Sequence, residues 1–343
     1  TRRVIGSIYA DNPFILNDSE TYTVDPPTEE VLDNVMKTIG VTGNKNLNDM
    51  EALLMRHAVV YSWAAFDDKM RPVDGPPVSL KFKDVNQEPI KMSPYRMTPA
   101  KKECLRKQID EWERDGILRK GSSASPWAFP ALMLEKKGGT KGTSDAYRTA
   151  IDFRKLNTML EDDSYPLPHL GDAITFLSGK RYRSALDLRW GYHNVALAED
   201  DYDLGNGRRR SWSSADAVTF SSPLGTRTYR RLPLGVKVAG QHFNRQSDAD
   251  FSEFLYRDVF KFVDDMLIGN ETKDDHMMSL VKVFERLAGR GYSVKAKKVK
   301  ILPDQFEFLG HLSTPDGLKP LPKAIEAIEK MPKPQITENH DRA

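Results

Sequence analysis

Two acids stand side by side inside an apolar run, Val259-Phe260-Lys261-Phe262-Val263-Asp264-Asp265-Met266-Leu267-Ile268-Gly269. β-Branched and aromatic residues on both flanks read as strands, with the aspartates at the bend between them. Asp is also a favoured turn residue, so alone the stretch equally fits an acidic hairpin without chemistry. A third acid shifts the balance. Tyr182-Arg-Ser-Ala-Leu-Asp-Leu188 reads as another strand, and its Asp187 stands among apolar neighbours. A carboxylate in a buried strand is costly unless it is paired or bound to a cation. Three acids on two neighbouring strands suit phosphoryl transfer assisted by two divalent ions. Mg²⁺ takes oxygen ligands, one or two carboxylates plus substrate phosphates. In this reading Asp187 and Asp264 bridge the ions, while Asp265, alternating to the other side of its strand, supports them.

Cations to hold a triphosphate come from a second hairpin. Ser123 to Leu134 is an extended apolar segment, Tyr147 to Arg154 alternates like a strand, and a basic, glycine-containing loop joins them. This hairpin projects Lys136, Lys137 and Arg148, of which Lys136 and Arg148 would act as charge-assisted donors to phosphate. A solvated surface hairpin would look the same. Around these pieces lie the elements that must position them. Thr98 and Pro99 start a helix bearing Leu105, Ile109 and Trp112 on one face, and Gly116 ends it. Thr28 to Ile39 and Leu47 to Trp63 have helical patterning, a short helical stretch ends near Gly179, and a helix runs from Ala239 to Tyr256. Lys273 to Gly291 is an amphipathic helix, with Met277, Leu280, Val281, Phe284 and Leu287 on one face. The polar segment from Glu199 to Asp216 reads as an exposed loop carrying Arg208 to Arg210. Lys295 to Lys300 and Phe306 to His311 read as short strands, and a last helix spans Pro322 to Met331.

The chain has 343 residues, long enough for one large or two modest domains, with 51 basic and 49 acidic side chains and a net charge of +2. Bulk charge therefore names no partner, although the basic residues come in clusters. One cysteine, Cys104, excludes an internal disulfide and a cysteine-built zinc site, and fits a reducing, intracellular setting. No apolar stretch approaches the roughly 18 residues of a membrane span. The chain begins at Thr1 without an initiator methionine, which suits a processed product or a piece of something longer.

Seven motifs in order give a resemblance. Ser125-Pro-Trp-Ala-Phe-Pro, Tyr147-Arg-Thr-Ala-Ile-Asp-Phe-Arg-Lys-Leu-Asn157, Tyr165-Pro-Leu-Pro168, Leu186-Asp-Leu-Arg-Trp-Gly-Tyr-His193, Leu232-Pro-Leu-Gly-Val236, Phe262-Val-Asp-Asp265 and Phe308-Leu-Gly-His311 follow one another along the chain. From about Tyr95 to Met331 the chain resembles the reverse transcriptase of gypsy-class LTR retrotransposon polyproteins. The resemblance implies an α+β, right-hand polymerase fold, with an antiparallel palm sheet packed on helices, a fingers subdomain, and a thumb largely missing. It implies an N-terminal linker or extension over 1–94, fingers and palm over 95–331, and the start of a thumb over 332–343.

The implied activity is RNA- and DNA-directed DNA polymerisation with Mg²⁺ (two ions, Mn²⁺ possible) on a template–primer duplex of RNA or DNA, using dNTPs and no membrane. RNase H and integrase would belong to the remaining polyprotein. The implied metal ligands are Asp187, Asp264, Asp265 and the backbone carbonyl of Leu188. Tyr192 would be the steric gate against a 2′-hydroxyl, Leu234 and Gly235 would line the nucleotide pocket, and Lys298 or its neighbour Lys297 would protonate the leaving pyrophosphate. Phe308, Leu309, Gly310 and His311 would grip the primer. Phe262 stands where the family usually has tyrosine, Leu234 replaces an aromatic residue, and Gly240-Gln-His replaces the usual start of that helix. These departures leave open a repurposed fragment that binds nucleic acid without catalysis.

Overall fold

Side-chain caps set the starts of the first three helices. Thr28 accepts from the Val31 amide and opens α1 (Glu29–Thr38), while Asn48 and Glu51 close a reciprocal capping box on α2 (Asp49–Tyr61). Thr98 caps α3 (Pro99–Arg114), which buries Leu105 and Ile109 and stops ahead of Gly116, in the left-handed region at φ +67°. The computed structural model describes residues 24–331 apart from 68, 85, 122–124, 137–142, 144–145, 201–210, 309 and 315–316. Lys137, Arg208 to Arg210 and Leu309 thus lie outside the described residues.

The chain continues through β1 (Leu118–Lys120), β2 (Phe129–Glu135), β3 (Tyr147–Ile151), α4 (Arg154–Met159), α5 (Leu170–Leu177), β4 (Tyr182–Asp187), β5 (Thr219–Ser222) and β6 (Gly225–Tyr229). It then forms α6 (Ala239–Asp250), β7 (Val259–Phe262), β8 (Asp265–Asn270), α7 (Lys273–Arg290), β9 (Phe306–Phe308), β10 (His311–Thr314), β11 (Gly317–Pro320) and α8 (Pro322–Glu329). Three sheets result among the described residues. Five strands run in the order β1-β6-β5-β2-β3, antiparallel except for the parallel pair β2–β5. The acid-bearing strands form an antiparallel sheet β4-β8-β7, and β11-β10-β9 forms another.

Side-chain alternation covers the acid-bearing sheet on both faces. Leu186, Met266 and Ile268 enter the main core with Met277, Leu280, Val281, Phe284 and Leu287 of α7, the face expected from the sequence. Ala185, Leu267 and Phe260 point the other way, against Ala173, Phe176 and Leu177 of α5 and Phe306 and Phe308 of β9. The main core extends to α1 and α2, and Phe66 just after them meets Phe284 edge-on at 4.9 Å.

Four expectations fail locally. The helix expected to reach Tyr256 ends at Asp250, whose carbonyl accepts from Arg286 Nη1 (2.6 Å) while Phe251 and Phe254 turn into the core. Residues 295–300 form no strand. A 3₁₀ turn at Ala296–Lys298 arches away between single bridges, Leu188 to Val294 and Ala185 to Lys300. Residues 306–311 are two strands, because Gly310 at φ +76° turns β9 back into β10 with Phe308 opposite His311. The end of the supposed exposed loop is interior. Trp212 meets Trp127 at 5.0 Å and Phe82 at 5.1 Å, and Ser214 Oγ accepts from the Leu80 amide at 2.7 Å.

Candidate active site on the acidic hairpin

The β7–β8 hairpin closes with Phe262 opposite Asp265, so Val263 and Asp264 form a two-residue turn. Such turns need positive φ, and Val263 adopts +58°, a conformation costing a β-branched residue about 1–2 kcal/mol. The Leu188 amide donates to the Asp264 carbonyl at 2.7 Å and joins the turn to the end of β4. Across the same ladder Asp187 stands directly opposite Asp265. The Leu188–Asp264 bond links the residue after one acid to the residue before the other. Asp187 and Asp265 are therefore a non-hydrogen-bonded pair, the kind whose side chains approach more closely.

This corrects the expected facing. Asp265 does not alternate away from Asp187 but shares its face, in a row with Phe262. The turn uses Val263 and Asp264 rather than both acids, which moves the alternation by one residue. Asp264 instead projects from the turn itself.

Asp187 is 4% exposed, and two lysines attend it. The Lys298 ammonium pairs with Oδ2, and the Lys295 ammonium lies 3.1 Å from Oδ1, an oxygen that has no aligned hydrogen bond. Both lysines belong to the 3₁₀ turn region, anchored where the Lys295 amide donates to the Asp187 carbonyl at 3.0 Å. Burial, then Asp264, then Asp187 push the Asp265 carboxyl up to about 6, against the opposing pull of Lys298 and Lys295. The hydrogen bond to Asp187 holds the Lys298 ammonium above its ordinary range. Tyr192 sits on a 3₁₀ turn at Gly191–Asn194, edge-on to Phe243 at 5.7 Å, and its phenol is raised by burial and by Asp264.

The hairpin is also fixed from its other face. Buried Lys261 reaches Asn244 Oδ1 (2.6 Å) and Asp248 Oδ1 (3.0 Å) on α6, and Asp248 accepts from the Tyr165 hydroxyl (2.8 Å). Beneath β4 and β8, His276 of α7 bonds Ser184 Oγ (2.8 Å) and Asn270 Oδ1 (3.0 Å); burial lowers its pKa to about 3 and keeps the ring neutral.

The structure thus brings together Asp187, Leu188, Asp264, Asp265, Lys298 and Tyr192. Lys136 and Arg148 are exposed on the β2–β3 hairpin of the five-stranded sheet, not on the acid-bearing one. Leu234 is 67% exposed, and Gly235, at φ +99°, accepts from Asn157 Nδ2 at 2.8 Å through its carbonyl. Phe308 packs on the same face of the sheet as Phe262, Gly310 turns β9 into β10, His311 opens β10 opposite Phe308, and Leu309 lies outside the described residues. Sequence reasoning missed Lys295 and Lys261. A lysine flanked by hydrophobic strand residues, Phe260-Lys261-Phe262, was the available signal for the second.

Among the described residues no three acid, histidine or cysteine side chains converge as a ready metal cluster. The donor set nonetheless suits a hard divalent ion. It is all oxygen, includes a buried carboxylate with an oxygen free of hydrogen bonds, and sets Asp264 and Asp187 against the Asp265 carboxyl.

A two-faced antiparallel sheet with acids at its hairpin end, beside a five-stranded sheet, is the palm and fingers of a right-hand polymerase. Residues 134–312, more than half of the chain, match the family described as Reverse transcriptase (RNA-dependent DNA polymerase). The chain belongs to that family, whose members are nucleotidyltransferases. It is 31% identical over 257 residues to a retrovirus-related Pol polyprotein from transposon opus of Drosophila melanogaster, and 28% over 257 residues to that from transposon gypsy of the same species. Each match covers 75% of this chain, which spans only 24% and 23% of those polyproteins. The resemblance to gypsy-class polyproteins is borne out. Among solved structures, a foamy viral protease–reverse transcriptase in complex with RNA/DNA hybrid superposes with a TM-score of 0.71 at 20% identity, over 95% of this chain and 40% of that one. A form of it with double-stranded DNA gives the same TM-score. These likenesses bear out the fold.

Proposed function

We propose that this chain extends a primer 3′-hydroxyl with dNTPs on an RNA or DNA template. The observation that carries the reading is the Asp187–Asp265 pair set face to face beside the strained Asp264 turn. Two Mg²⁺ ions, or Mn²⁺, would be held by Asp187, Asp264 and Asp265 with the Leu188 carbonyl. When bound they would activate the attacking hydroxyl and offset charge on the phosphates. The chain's own residues do the rest by position and charge. Tyr192 closes the space under the nucleotide sugar, with its ring braced on Phe243. Lys298, kept protonated beside Asp187, is a proton donor for the leaving pyrophosphate. Lys136 and Arg148 are cations available to the triphosphate, Leu234 and Gly235 edge the nucleotide pocket, and the β9–β10 turn with His311 contacts the primer. Lys261 and Asp248 hold the hairpin in register from below.

The test is primer extension by the full chain with and without Mg²⁺. Asp187→Asn or Asp264→Asn is expected to lower incorporation at least about a hundredfold. Extension undiminished by either change would sink the proposal.

A second reading has one observation in its favour. Asp187 is already engaged by two lysines, as it would be in a protein that binds a duplex and leaves it unextended. Salt-sensitive binding to an RNA–DNA duplex with no nucleotide incorporation would select it.

A further inference from the structure

The carboxylate deepest in the site is held by cations from the chain itself. Asp187 is 4% exposed, and its charge would be expensive without a partner. Lys298 takes Oδ2. Lys295 takes Oδ1 at 3.1 Å, and this second pairing is tied to the backbone, because the Lys295 amide donates to the Asp187 carbonyl at 3.0 Å. The bridges from Leu188 to Val294 and from Ala185 to Lys300 pin the segment on both sides. The base of the Lys295 side chain therefore stays beside Asp187, whatever its ammonium does.

The ammonium itself is free to leave. The Lys295 side chain is 42% exposed, and its contact with Oδ1 lacks hydrogen-bond alignment. Three acids face two lysines, so the cluster keeps about one net negative charge and attracts a further cation. Oδ1 also lies on the Asp187 side chain, directly opposite Asp265. A divalent ion shared by these acids and the Lys295 ammonium would compete for the same oxygen.

We propose that Lys295 is an internal counter-ion that occupies Asp187 when no metal is bound and must be displaced for metal to bind. It thereby sets the divalent-ion concentration at which the site fills. The inference rests on the metal-site reading above and goes beyond it, since it assigns a positioning role to a residue outside the expected ligand and proton-donor set. The physical basis is simple competition. Removing one positive charge a few ångströms from the ion's position favours the ion, and the Lys295 pairing is exposed enough that the gain is moderate.

The test uses the full chain without nucleic acid or nucleotide, with Mn²⁺ as the probe and free Mn²⁺ counted by electron paramagnetic resonance. Lys295→Met keeps the aliphatic stem and is expected to tighten Mn²⁺ binding about three- to tenfold. Lys295→Arg keeps the charge and is expected to bind within twofold of wild type. Metal-free Lys295→Met, in chelator, is expected to melt earlier than wild type because Asp187 loses a partner, and added Mn²⁺ should close the gap. Circular dichroism of each variant in saturating Mn²⁺ confirms that it is folded. Asp187→Asn separates the two claims. If wild type binds Mn²⁺ in an Asp187-dependent way but Lys295→Met binds no tighter, or Lys295→Arg shifts as much as Met, the counter-ion role is wrong and the metal site stands. If Asp187→Asn leaves Mn²⁺ binding unchanged, the metal-site reading fails and takes this inference with it.

Discussion

Burial and two neighbouring acids raise Asp265 to about 6, above the ordinary carboxylate range near 4. A raised acid favours the fold fully below its unfolded pKa, where it is protonated in both states. That advantage is lost as pH rises through about 6, where the folded protein must carry the crowded charge. In chelator, Asp265→Asn should therefore gain about 1 kcal/mol on wild type between pH 4 and pH 8, a figure discounted for partial exposure. Urea titrations at the two pH values read the difference. A constant offset would mean that Asp265 does not feel its neighbours. The three acids were legible in the sequence because a carboxylate inside an apolar strand is conspicuous. Their facing was not legible, since it depends on whether the turn begins at Val263 or Asp264. Lys295 escaped notice because Lys-Ala-Lys-Lys-Val-Lys alternates like a strand, and only the 3₁₀ turn brings Lys295 and Lys298 to one carboxylate.

At the scale of elements, the hairpin needs support on both faces. Gly269 of β8 is a tight point of that support. A Cβ there would sit 3.2 Å from Phe176 Cε1 and 3.3 Å from Lys180 Cβ, at the α5 end of the sheet. Gly269→Ala is expected to cost about 1–2 kcal/mol by pushing α5 off the strand, read as a lower melting temperature. An unchanged melting temperature would show that α5 yields freely. Most elements could be read from capping and periodicity: Thr98 with Pro99, the α7 stripe, the acidic hairpin. The failures share a cause in tertiary contacts that local pattern does not encode. Arg286 ends α6, Gly310 folds one expected strand into two, and Trp127 and Phe82 draw Trp212 inward.

Across the whole molecule, one core runs from Leu32 in α1 to Leu302 beyond the lysine-rich turn. Residues 49–66, which the sequence motifs leave outside the polymerase, pack against α7, the helix that floors the acid-bearing sheet, while α1 packs on α2 and on the lysine-rich turn. We propose that they unfold with α7 as one unit. Phe66 is 4% exposed, and Phe66→Ala is expected to cost about 3–5 kcal/mol while unfolding remains a single transition by both circular dichroism and tryptophan fluorescence. Two separated transitions would make the N-terminal helices an independent module. The sequence motifs gave no hint of this docking, because helix patterning reports a buried face without naming what buries it.

Asp187, Asp264 and Asp265 are the acids of the proposed divalent-ion site. Manganese-edge anomalous diffraction from crystals of the full chain soaked in Mn²⁺ tests it most directly. Anomalous peaks are expected within about 2–2.5 Å of carboxylate oxygens of Asp187 and the hairpin acids, with the Lys295 ammonium moved off Asp187 Oδ1. Saturating Mn²⁺ that leaves no peak there, with both lysines still on Asp187, would contradict it.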